Sequence, residues 1–69
     1  MPHTIEEIER AQQHVLDGIA RIAAQRRRIT ALKIAGLPTE EAEILLRMMR
    51  HNLRQTREHL WSMIEKRNP

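Results

Sequence analysis

Ala35-Gly36-Leu37-Pro38-Thr39-Glu40 is the one clear interruption of an otherwise helical pattern, and its reading decides the fold. Gly36 can take the left-handed backbone conformation that closes a helix. Pro38 has no N–H to donate and stops the preceding helix, while Thr39 offers a hydroxyl to cap the next one. Working outward, the pattern predicts a helix over about 5–35, a turn at 36–38 and a helix over about 39–66. Residues 1–69 then form a single domain, an antiparallel hairpin.

Composition agrees with an all-α chain. Ala, Leu, Ile, Met, Glu, Gln and Arg dominate, and all suit a helix or its buried face. Trp61 is the sole aromatic residue and there are two glycines, too few of either for a β-sandwich or barrel. A chain of 69 residues is only marginally stable alone unless disulfides, metal or association reinforce it. Cysteine is absent, which excludes disulfides and thiolate zinc sites and fits a reducing compartment. Met1-Pro2-His3-Thr4, followed by Glu6, Glu7 and Glu9, has the character of neither a signal nor a transit peptide. No apolar run approaches the roughly 20 residues needed to cross a bilayer. A cytoplasmic protein is the expectation.

Each helix carries an apolar stripe. In the first, Thr4 and Glu7 have the spacing of a capping box. Ile5, Ile8, Val15, Ile19, Ile22 and Ile29 then recur at spacings of three, four or seven residues, flanked by Leu16 and Ala23. Gln12, Arg26 and Lys33 fall in the same coiled-coil-like seam, where the two cations can lay their alkyl stems and still reach water. Gly18 costs on the order of 1 kcal/mol relative to alanine, unless it admits another helix. In the second helix the stripe is Ala42, Leu45, Leu46, Met49, Leu53, Leu60, Met63 and Ile64, interrupted by Thr56. Glu40, Glu41 and Glu43 at its start and Lys66 and Arg67 at its end suit the helix dipole. Folding about Leu37 predicts Lys33 near Glu40 and Glu41, and Asp17 near Arg57, each pair worth about 0.2–1 kcal/mol.

Apolar residues outside these stripes, among them Leu32, Ile34, Ile44 and Met48, exceed what two helices can cover between them. Two hairpins stacked as a four-helix bundle would cover them. The expectation is a homodimer whose shared core draws on Ile8, Val15, Ile19, Ile22, Ile29, Ile44, Met48, Met49, Leu53 and Leu60. Scattered surface apolars are the plainer alternative.

Little here carries chemistry. His51 and His59 stand eight residues apart, no H-E-x-x-H or Glu-x-x-His pair occurs, and His3 lies near the start of the chain. Ser62 is the single serine, and no glycine-rich phosphate loop is present. The reading is no enzyme, no metal and no cofactor. The net charge is +3, but the basic residues are clustered. Arg21, Arg26, Arg27, Arg28 and Lys33 form one acid-free run, and Arg47, Arg50, Arg54 and Arg57 a second. Arg50, Arg54, Arg57 and Trp61 share one helical stripe, a row of guanidiniums ending in an indole. Such a row can follow a phosphate backbone and stack a base. It can equally be a solvated flank, with an arginine resting on the indole. Trp61 itself reads as a lid over the bundle edge or as an anchor for a partner. The acids at both helix starts, and apolar stripes without Phe or Trp, argue against a membrane-surface role.

Ile22-Ala23-Ala24-Gln25-Arg26-Arg27-Arg28-Ile29, then Leu32, Gly36 and Thr39-Glu40-Glu41-Ala42-Glu43-Ile44-Leu45-Leu46, resemble a pattern of I-A-x-Q-R-x-x-I, L-x-x-x-G and T-x-x-A-x-x-L-L. That pattern is similar to one in very small proteobacterial proteins common in rhizobia and their relatives. The resemblance covers about half the chain, centred on the turn. It implies an α-helical hairpin and supplies no catalytic residue, cofactor or partner. Within it, the Gln25-Arg26 pair is open to a role in helix pairing or in binding.

The leading functional expectation is a small non-enzymatic interaction or structural protein that associates with itself, with an unidentified protein as a further possible partner. The alternative is a weak, salt-sensitive nucleic-acid binder using Arg47, Arg50, Arg54, Arg57 and Trp61.

Overall fold

Thr4 opens the first helix. Its backbone is extended (φ −75°, ψ 161°), and its Oγ1 accepts from the Glu7 N–H at 3.1 Å, satisfying one donor that the helix start leaves free. The reciprocal half of the expected capping box is not made. The Glu7 carboxylate instead accepts from His3 Nδ1 at 3.0 Å. The helix, α1, runs Ile5–Ile34. Its end is a Schellman motif: the Gly36 N–H donates to the Lys33 carbonyl at 3.0 Å and the Leu37 N–H to the Leu32 carbonyl at 2.9 Å. Gly36 sits at φ +70°, the left-handed region, with open space where a Cβ would stand. The second helix, α2, runs Glu40–Arg67. Thr39 occupies the cap position, and its carbonyl accepts from the Glu43 N–H at 2.9 Å.

The computed structural model describes residues 3–67, and its dimensions of 53 × 16 × 12 Å are those of two helices side by side. A helix of 30 residues is about 45 Å long. Among the described residues there is no third layer, so each helix keeps an outer half in solvent.

Most of the residues that face inward follow an alternation of three and four. In α1 that row is Ile8, Ala11, Val15, Gly18, Ile22, Gln25, Ile29 and Leu32, with Glu7 and Ala23 also part-sheltered. In α2 it is Ala42, Leu46, Met49, Leu53, Thr56, Leu60 and Met63, entered from Thr39, with Glu43, Ser62 and Ile64 also part-sheltered. Part of the stripe expected in α1 is therefore displaced to one side. Ile5 and Ile19 are more than half or half exposed (56 % and 50 %), as is Leu16. The expected stripe combined one true inner row, Ile8-Val15-Ile22-Ile29, with a neighbouring outer one. The second inner row, Ala11-Gly18-Gln25-Leu32, contains a glycine, an alanine and a glutamine and so has little apolar signal. In α2, Leu45 lies outside, and Thr56, expected as an interruption, belongs to the seam. Its hydroxyl donates to the Asn52 carbonyl at 2.8 Å, so it enters without an orphaned polar group.

Gly18 sets the register. A Cβ there would stand 3.1 Å from Leu53 Cδ1, so the absent side chain is what lets Leu53 lie against α1. Stepping away from that pair along both helices brings Ala11 level with Leu60 and Ile29 level with Ala42. At these levels a large residue meets a small one, which lets the helices approach closely, while Ile8 and Met63, and Ile22 and Met49, come level as pairs of larger residues. Gln25 is the polar exception. It is 7 % exposed, and its Nε2 donates to the Ala42 carbonyl at 2.9 Å, joining the two helices. Of the Gln25-Arg26 pair, Gln25 thus takes part in helix pairing, while Arg26 is exposed.

The surface pairs differ from expectation. Lys33 Nζ lies 3.9 Å from Oε1 of Glu43, one turn into α2, because Glu43 reaches the flank that carries Lys33 while Glu41 lines the opposite flank beside Arg28. Asp17 accepts from Gln13 Nε2 at 2.9 Å and borders a groove with His14 and Asn52, on the side of the hairpin away from Arg57. At the open end, Arg67 Nη1 donates to the His3 carbonyl at 2.8 Å and ties the end of α2 to the start of α1.

Two substitutions measure the two special glycines. Gly36→Ala places an L side chain in the left-handed region with no clash, so urea unfolding should show a loss of about 1–2 kcal/mol, and Gly36→Asn a smaller one. Gly18→Leu overfills the seam against Leu53 and should cost about 1–3 kcal/mol despite its better helix propensity. An unchanged midpoint for Gly18→Leu would mean that the close approach at Leu53 contributes nothing.

Candidate functional site

The alternation that buries one row of each helix leaves two flanks, and their chemistry differs. The first flank joins the α2 residues Arg47, Arg50, Arg54, Arg57 and Trp61 to the α1 residues Ile5, Leu16, Ile19, Arg26 and Lys33. All ten are exposed. The Lys33–Glu43 ion pair and a shallow groove between Ile5, Gln12 and Ile64 show that these two rows adjoin. Among the described residues, none of the four α2 arginines has a carboxylate within 4 Å, and Arg26 has none either. Trp61 is 61 % exposed and borders a shallow hollow with Arg54, Arg57 and Glu58. It is not a lid within the hairpin.

The second flank changes character along its length. Toward the open end, His3, Glu7, Arg10 and His14 of α1 face Gln55 and His59 of α2 across an open groove floored by Ala11, Thr56 and Met63. His3, Glu7 and His14 share a stripe that sequence spacing could have revealed; only His59 comes from the other helix and joins them through the register. No three His, Asp or Glu side chains among the described residues are arranged to hold a metal ion. Toward the turn, the flank becomes apolar. Leu45 and Met48 stand 43 % and 57 % exposed, with Ile44 beside them at 48 %.

Of the ten residues expected to mediate self-association, seven line the hairpin's own seam: Ile8, Val15, Ile22, Ile29, Met49, Leu53 and Leu60. Only Ile19, Ile44 and Met48 stand free on the surface, with Ile19 on the arginine flank and the other two at the turn-proximal patch.

Glu7 is the titratable group whose environment is clearly altered. The hydrogen bond from His3 lowers its pKa from the ordinary carboxylate value, burial opposes this, and the charge of His3, the Thr4 hydroxyl and the charge of Arg10 reinforce the lowering. The contribution is thus made by the ionised form.

Comparison with protein-family models, curated proteins and solved structures finds no match for this chain.

Because the Glu7 pKa is lower in the folded chain, its stabilising effect is present above the ordinary carboxylate pKa and is lost as pH falls through the lowered folded value. Amide exchange across residues 3–8, followed by NMR during an acid titration, should show the first turn loosening in that window. Glu7→Gln should abolish the pH dependence of those amides while leaving the turn at Gly36 unaffected.

Proposed function

We propose that this protein is a non-enzymatic interaction module that pairs with a second copy of itself, two hairpins forming a four-helix bundle. The observation that carries this reading is the exposed patch of Ile44, Leu45 and Met48 on a hairpin with almost no interior of its own. Among the described residues only Ala11, Gln25, Ile29 and Met63 are buried, and no large side chain is fully so. A compact monomer of 8.2 kDa exposes about 4,500 Å² on the general size scaling. The hairpin exposes 5711 Å², an excess of roughly 1,200 Å² over that scaling. A standard interface takes about 800 Å² from each partner, so a second copy fits within the excess.

The turn-proximal flank suits such a contact better than the arginine flank. Ala24 and Ala31 are short and exposed on α1, and the one cation in the groove with Leu45, Arg28, has Glu41 in the same groove. Joining two arginine flanks would instead set at least eight like charges against one another. The resemblance to small proteobacterial hairpins fits this reading, because its I-A-x-Q-R element contains Gln25, which joins the helices. No helix among the described residues is long and apolar enough to cross a membrane. Together with the lack of cysteine, this supports the cytoplasm as the site of action.

Light scattering across a dilution series should give twice the 8.2 kDa chain mass at micromolar concentration, with helicity falling as the dimer dissociates. Met48→Glu and Leu45→Glu should each weaken pairing by about 2 kcal/mol or more, roughly thirtyfold, by placing a charge on buried apolar surface. A fully helical monomer at every concentration would overturn the bundle.

A further inference from the structure

We infer that the arginine flank is a binding surface for single-stranded nucleic acid, with Trp61 as a stacking platform at one end of a phosphate-binding row. The dimer contact proposed above lies on the other flank, so this surface remains open in the pair.

Arg47, Arg50, Arg54 and Arg57 follow one another at three- and four-residue steps, so the row extends about 15 Å along α2. Like charges at this spacing destabilise a helix by a few tenths of a kcal/mol each, and the fold gains nothing visible in return. Among the described residues no carboxylate lies within 4 Å of any of them. Arg26, exposed on the α1 edge of the same flank, is another cation with no carboxylate within 4 Å among the described residues, so the neighbouring helix adds to the potential. Lys33, by contrast, has Glu43 as partner. The row is thus a stretch of unneutralised guanidiniums, each a planar donor suited to phosphate oxygens.

Trp61 decides between polyanions. An acidic protein segment or an anionic lipid surface would satisfy the arginines without needing an indole in a hollow between Arg54, Arg57 and Glu58. An unstacked base needs just such a plane beside the cation that holds its phosphate, and stacking tolerates any base. A duplex keeps its base faces inside and would leave Trp61 unused. Leu16 and Ile19, exposed on the same flank, extend apolar surface along which further bases can lie.

The test uses the fluorescence of Trp61, the sole aromatic residue, during titration of the intact protein with a twelve-nucleotide single strand. Quenching is expected. With four to five phosphates neutralised, affinity should fall roughly fiftyfold between 50 and 200 mM salt. Arg50→Glu/Arg54→Glu should reduce binding at least tenfold without changing the solution mass. Arg21→Glu/Arg27→Glu, with the same net charge but off this flank, should change it less than threefold. Trp61→Ala, followed through a labelled strand, should lose about tenfold, the effect of one unstacked base. The inference is overturned if no strand quenches Trp61 at low salt, or if the two charge-reversal pairs weaken binding equally. It is also overturned if a matched duplex, polyglutamate or anionic phosphatidylserine vesicles bind as tightly with the same quenching. None of these outcomes bears on self-association, which the scattering measurement tests separately.

Discussion

The contact of Leu53 with the bare backbone at Gly18 is the constraint on which the rest of the molecule depends. It occurs near the middle of both helices, so it fixes their separation and register together. Once that level is set, the shared alternation brings Leu60 level with Ala11 and Ile29 level with Ala42, large with small, and Ile22 level with Met49, large with large. A larger residue at Gly18 would part the helices and loosen every level at once. The glycine therefore weakens α1 locally, and the closeness it permits supplies the packing that both helices need.

Gln25 holds the same register, because a buried amide must find a hydrogen-bond partner, and its Nε2 donates to the Ala42 carbonyl. The turn contributes from the other direction. The Schellman bonds at Gly36 and Leu37 bring α2 back immediately after α1 ends, so the chain can form few alternative pairings. The Arg67–His3 contact closes the open end.

A single seam between two helices also explains why function belongs to the flanks. The interior is too thin to enclose a pocket, and the residues with chemical character stand on either side of it. Three histidines, Glu7 and the Ile44-Leu45-Met48 patch stand on one flank, together with Arg10 and Arg28. Arg47, Arg50, Arg54, Arg57 and Trp61 stand on the other, with Ile5, Leu16 and Ile19. On the reading proposed above, the first face meets another copy of the chain and the second a polyanion, without competition between them.

Local chemistry alone determined the helices, the turn and the caps. Gly36, Pro38 and Thr4 act on their own neighbours, so their effects were legible residue by residue, and the exposed arginine row followed from helical spacing. The inner stripe was legible only in part. Ile8, Val15, Ile22 and Ile29 at every seventh position marked one row, but the second row is built from Ala11, Gly18 and Gln25, whose role exists only opposite Leu60, Leu53 and the Ala42 carbonyl. For the same reason the tertiary structure alone chose Glu43 as partner of Lys33, put Asp17 on the flank away from Arg57, and joined His59 to His3, Glu7 and His14. Each of these depends on the register between two helices, and register is a property of the packed pair that neither helix carries by itself.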